Sequence, residues 1–294
     1  MNKVLTIQSN FFILISLITI GLTLGLSANL NLEVPMFFFA LALIVLFGVP
    51  HGSLDVLFAK KTYDLNAMKH WLKFLSLYTV CALSIILIWL ALPNVFFIAF
   101  LILSAIHFSD DLNIARFNWL KLSYGIAIIT VPSLLHGKEL IDLYGMIIQA
   151  SVATNLVIAC QFLSYPIIGL LAFQLLSKQI NTRTKLEIIS AITLVLILHP
   201  IYAFTLYFCF MHSARHFIRS RFFLRGFSRA AFFRSLILPT LAVILMGLVT
   251  WFFIPTKSLN ADLIRIIFVG LAALTVPHAW VLKKSNFSNW IQFR

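Results

Sequence analysis

The chain has 294 residues, of which 61% are hydrophobic, 11% charged and 29 Phe, with a mean hydropathy of +1.01. A soluble domain averages roughly 45–50% apolar and about 25% charged residues, so a water-facing globule, a disordered tail and a fibrous repeat are all excluded. Twenty-two Lys and Arg oppose nine Asp and Glu, a net charge of +13, but the positives lie between apolar runs, as basic cytoplasmic loops of a membrane protein do, and not on one nucleic-acid-binding face.

Val4 to Leu32 carries no charge. That is longer than the roughly 7–15 residues of a secretory apolar segment, and predicts a first transmembrane helix near 11–30. Further apolar runs follow near 34–50, 71–92, 94–109, 119–135, 141–177, 188–211, 235–254 and 263–282. The stretch from Leu143 to Ser177 would extend about 50 Å at ~1.5 Å per residue, too long for one straight span of a ~30 Å core. A break near Ser164–Pro166 is expected. His199-Pro200 should likewise split the 188–211 run, because Pro removes a helical hydrogen bond. The expectation is all-α: a polytopic transmembrane helix bundle of eight to ten spans, residues 1–294 forming one integral-membrane domain.

Basic residues set the orientation. Lys3, Lys60, Lys61, Lys69, Lys73, Arg116, Lys121, Lys178, Arg183 and Lys185 fall at every second turn if Lys3 is inside. Arg215 to Arg234 and Lys283, Lys284 and Arg294 agree only if 187–214 crosses an even number of times or if the crossings of 141–177 are miscounted. Glu33, Pro93-Asn94 and Asp262 then face outward. The expected location is the cell inner membrane, multi-pass. Cys81, Cys160 and Cys209 lie in apolar runs without CxxC spacing and read as small buried hydrophobes. Arg221, Arg225 and Arg229, interleaved with Phe, share a helical face suited to anionic lipid.

Of eight histidines, His70 and His136 sit in polar loops and read as interfacial. His51, His107, His212, His216 and His278 each end an apolar run and precede a basic residue, which places them at one depth. Side chains from several helices at one depth can converge on one ion; the alternative is interfacial or helix–helix hydrogen bonding. His212 and His216 are at i and i+4, on one helical face. Asp55 is at i+4 from His51, and Asp110 and Asp111 at i+3 and i+4 from His107. Those carboxylates are placed to accept the second imidazole N–H of a metal ligand, although helix termination also accounts for Asp110 and Asp111. Arg215, between two candidate ligands, is placed to fix such an acid. Imidazole suits Zn, Cu, Fe or Ni. The HxxHH clusters of a di-iron desaturase are missing, and a prenyltransferase would need a second Asp-rich motif.

His51-Gly-Ser-Leu-Asp55, Ser104-Ala-Ile-His107-Phe108, His199-Pro200, Tyr207-Phe-Cys-Phe-Met-His212-Ser-Ala-Arg-His216 and Thr275-Val-Pro-His278 together resemble the Brp/Blh family of integral-membrane β-carotene 15,15′-dioxygenases, over about residues 45–282. The resemblance implies an Fe(II) enzyme that cleaves the central double bond of β-carotene with O2 to give two retinals. The implied iron ligands are His51, His107, His212 and His216. Asp55 and Asp110 are expected behind the ligands from their spacing, and the resemblance implies His278 behind them or facing substrate. A retinal-binding rhodopsin is a candidate user of the product. The chain departs from the family pattern at Ser109-Asp110-Asp111 and after His278, where Lys283-Lys284 stands. A His-lined divalent-metal transporter is the alternative, but it would need acids or histidines strung through several depths.

Overall fold

In a computed structural model, residues 1–25, 33–63, 65–114, 119–253 and 258–287 are described, with nothing said of the side chains of 33–35 and His51. Among them there are helices and no strand, as expected where lipid cannot satisfy backbone N–H and C=O groups. The α-helices are α1 (Asn2–Gly25), α2 (Glu33–Leu43), α3 (Val49–Ser53), α4 (Asp55–Thr62), α5 (Met68–Ala91), α6 (Pro93–Ser109), α7 (Trp119–Thr130), α8 (Gly137–Gly145), α9 (Ala150–Leu175), α10 (Thr182–Ile197), α11 (Pro200–Leu206), α12 (Ala214–Phe223), α13 (Arg229–Phe253) and α14 (Leu259–Lys284).

Five helices, α1, α5, α9, α13 and α14, are long and apolar enough to cross a membrane, and the bent pair of α7 and α8 makes six. The expectation of eight to ten spans is corrected by the runs near 34–50 and 188–211, which fold as short consecutive pieces. α5 buries only Phe74 and α13 only Phe232 along their lengths; these two present apolar surface outward, as lipid-facing helices do. The first helix begins at Asn2, well before the expected residue 11.

His199-Pro200 does divide its run: α10 ends at Ile197 and α11 starts at Pro200. The expected break at Ser164–Pro166 does not occur. α9 continues through Pro166, and the chain instead breaks between Gly145 and Ala150, where Asn94 and Gln149 bond to each other. Membrane helices tolerate an internal Pro.

The basic segments gather at one end. Arg183 donates to Thr6 Oγ1 at 2.7 Å, Lys61 to the Phe223 carbonyl at 2.7 Å, and Arg219 lies over the Phe287 ring at 5.2 Å. α10 leaves this end and the chain from α11 to α12 returns to it, bringing Arg215 back beside Glu187 of α10. Two details differ. Lys121 is no free loop charge: it is 1% exposed and bonds Asp110 at 2.8 Å. Arg221, Arg225 and Arg229 share no helix face, because α12 ends at Phe223 and α13 begins at Arg229. Arg116 and Arg294 lie outside the described residues, as does the side chain of Glu33, and Asp262 is buried against Arg265. The free cysteines Cys160 and Cys209 are buried and Cys81 half-buried.

α6 and α7 pack so closely that a Cβ on Gly125 would stand 1.9 Å from the Ala105 carbonyl oxygen. A small residue at such a contact is what lets two membrane helices approach. Gly125→Ala is therefore expected to destabilise the bundle by at least the ~1–3 kcal/mol of ordinary overpacking, seen as a lower melting temperature in detergent.

Candidate metal centre

The centre forms where α6, the segment from α11 to α12, and α14 meet, between two apolar clusters. One contains Phe108, Tyr207 and Phe208; the other contains Phe58, Leu282 and Phe287. Two π-helical segments flank it, Ile44–Gly48 and Tyr207–Ser213. Such wider turns insert a residue into a helix and are frequent at functional sites. They touch one another: a Cβ on Gly48 would meet Phe208 Cε1 at 2.3 Å. Phe208 in turn stacks on His212 at 5.4 Å and 12°.

His107, His212, His216 and His278 are all buried. Ring centroids are 4.7 Å apart for His107–His212, 5.6 Å for His107–His278, 5.0 Å for His216–His278 and 6.5 Å for His212–His216. With metal–nitrogen bonds of about 2.0–2.1 Å, two imidazoles on one ion have centroids about 4.5 Å apart when adjacent and about 6.5 Å apart when opposite. The four separations span that range. Among the described residues no three His, Cys, Asp or Glu side chains stand ready to hold an ion; the rings are near one another without closing on a common point. His51 lies in α3, and its side chain is outside the described set.

Two of the rings are held alike. His278 Nδ1 meets Asp55 Oδ1 at 2.7 Å, and Tyr78 donates to Asp55 Oδ2 at 2.8 Å. His212 Nδ1 meets Asp111 Oδ1 at 2.9 Å, and Tyr207 donates to Asp111 Oδ2 at 2.6 Å. A carboxylate only accepts, so in each ring Nδ1 carries a proton; a neutral imidazole so held has its lone pair on Nε2, the arrangement typical of metal-bound histidine. His216 Nδ1 has a neutral partner, Ser220 Oγ at 3.3 Å.

The acids are thus distributed differently from their spacing. Asp55 bonds His278, 223 positions away, where the i+4 spacing pointed to His51. Asp110 binds Lys121 and Arg219, and its neighbour Asp111 takes the place behind a histidine. Arg215, 1% exposed, donates to the Asp111 carbonyl at 2.6 Å and to both carboxylate oxygens of Glu187, at 3.1 and 2.8 Å. It also donates to Gln8 and Ser9, and Ser9 bonds Glu187. Glu187, Tyr78 and Tyr207 were not singled out from the sequence. Glu187 could have been, since a carboxylate in an apolar run is costly. His136 and His199 pack together elsewhere, with ring centroids 6.4 Å apart and His136 Nε2 at 3.1 Å from the Ile197 carbonyl; His70 opens α5.

Asp55→Asn keeps the shape but weakens the acceptor behind His278. It is expected to leave a folded protein with metal affinity or activity lowered about 10–100-fold, measured by metal titration of the purified protein.

A family model described as beta-carotene 15,15′-dioxygenase matches residues 42–285. A protein named beta-carotene 15,15′-dioxygenase, from an uncultured marine bacterium (66A03), is 30% identical over 249 residues, covering 81% of this chain and 90% of that protein. No solved structure matches.

Proposed function

The chain belongs to the beta-carotene 15,15′-dioxygenase family, and from that membership we propose that it cleaves the central 15,15′ double bond of β-carotene with O2 to give two retinals. We assign the reaction to an Fe(II) ion held by the buried histidines, in an enzyme of the cell inner membrane. The observation that carries the assignment is the convergence of four buried imidazoles, two of them fixed through Nδ1 by a buried carboxylate. His107, His212 and His216 would hold the ion, with His51 from the family resemblance. His278 sits among them with the same carboxylate support, so it joins the candidate ligands and leaves the substrate wall to others.

Iron bound by neutral imidazoles supplies open positions and redox chemistry for O2. The chain's own groups do the rest. Asp55 and Asp111 accept from Nδ1 of His278 and His212, which would leave Nε2 of each neutral ring to the metal. Tyr78 and Tyr207 hold those carboxylates in orientation. Arg215, with Glu187, anchors the backbone at Asp111. An apolar cavity of about 130 Å3 reaches His107 and His212 between Phe97, Phe100, Phe108, Phe204 and Phe268. Such a wall binds a long conjugated hydrocarbon by burial and excludes water from the reacting bond. A lipid bilayer would deliver the substrate, and a retinal-binding rhodopsin is a proposed user of the product. The transporter reading is set aside because the family is one of enzymes.

Expression in bacteria that accumulate β-carotene tests the proposal. Loss of the orange colour with retinal as the product is expected; unchanged carotene in cells that contain the protein would overturn it.

A further inference from the structure

Two apolar cavities reach different histidines of the cluster and share Leu271 and Thr275 of α14 in their walls. The first reaches His107 and His212; the second, of about 380 Å3, reaches Asp55 and His278. The first is walled by the rings of Phe97, Phe100, Phe204 and Phe268, so a chain lying across both would be gauged there. Its length can be read from two helices independently. On α6 it is lined from His107 back to Phe97, and on α14 from Thr275 back to Ile264, each about 15 Å at ~1.5 Å per residue. That is comparable to one half of a C40 carotenoid, from its central double bond to its terminal ring. The far end is bordered by α8, which bends 104° away from α7. Tyr144 of α8 meets Phe97 there edge to face, with centroids 4.8 Å apart.

We propose that Phe97 and Tyr144 form the stop against which the leading ring of the substrate rests, so that the depth of the aromatic cavity selects which double bond lies at the histidines. This rests on the function proposed above. The cleaved C=C and one O2 give two carbonyl groups, one oxygen atom to each, whichever double bond is presented. A deeper cavity would let the ring advance by one conjugated unit. Cleavage would then leave a fragment longer than retinal in this cavity and a complementary shorter one in the other.

Tyr144→Ala and Phe97→Leu, the second a smaller truncation that still removes the ring from the stop in case the first folds poorly, are to be expressed beside the wild type with β-carotene and the fragments separated chromatographically. In either variant the ratio of off-centre fragments to retinal is expected to rise by an order of magnitude. A purely structural role would slow cleavage without moving that ratio, so folded variants that still give retinal alone would overturn the stop. If the wild type cleaves off-centre, the proposed function falls. The stop would then still stand if the variants shift the fragments from the wild-type position, and would fall with it if they do not.

Discussion

His212→Ala and His216→Ala are each expected to abolish both bound iron and retinal formation. His212 stands 4.7 Å from His107 between ring centroids, is 2% exposed, and is fixed by Asp111 on one side and the Phe208 ring on another. Its removal also deprives Asp111 of one partner, although Tyr207 and the Arg215 contact to the backbone persist, so the chain should still fold. Metal content by elemental analysis, with cleavage measured on the same preparation, checks the result; His70→Ala, outside the cluster, should match the wild type. Full iron and activity in either cluster variant would remove that residue from the ligand set. The same comparison for His51→Ala and His278→Ala decides the remaining members. Both are expected to lose iron.

Arg215→Ala is expected to be the most destabilising single change. The guanidinium is buried in a network of Glu187, Ser9, Gln8 and the Asp111 carbonyl, joining α12, α10, α1 and the end of α6. Removing one partner of a buried pair typically costs ~3–5 kcal/mol, because the other charge is left uncompensated, whereas replacing both by apolar residues of similar size is often tolerated. Arg215→Ala and Glu187→Ala should therefore each lower the melting temperature steeply or prevent accumulation. The double variant Arg215→Met with Glu187→Leu should recover much of the loss. Single variants that melt like the wild type would show that the network contributes little.

How far the sequence could lead is visible at individual residues. The i,i+4 spacing of His212 and His216, and the shared depth of His107 and His278, followed from apolar runs and basic flanks, and these rings do meet. For Asp110 and Asp111 the limit was that a spacing argument assumes one continuous helix. α6 ends at Ser109, and the Asp110 N–H turns back to the His107 carbonyl, which sends Asp110 toward Lys121 and Asp111 toward His212. Asp55 finds His278 across the bundle, a pairing that no local pattern encodes. The π-helical turns at Ile44–Gly48 and Tyr207–Ser213 were equally invisible, since nothing in residue periodicity marks one inserted residue. Pro166 shows the opposite error: a strong helix breaker in water sits inside a continuous membrane helix.

Cleavage at this cluster would depend on the metal its histidines hold, and removing and restoring that metal tests this most directly. Purified protein in detergent is stripped with a chelator, then given Fe(II) or Zn(II) without air before β-carotene and O2 are added. The expected result is one equivalent of iron per chain in the untreated protein, no retinal from the stripped protein, and retinal restored by Fe(II) but not by Zn(II). Undiminished retinal formation by the metal-free protein would contradict it.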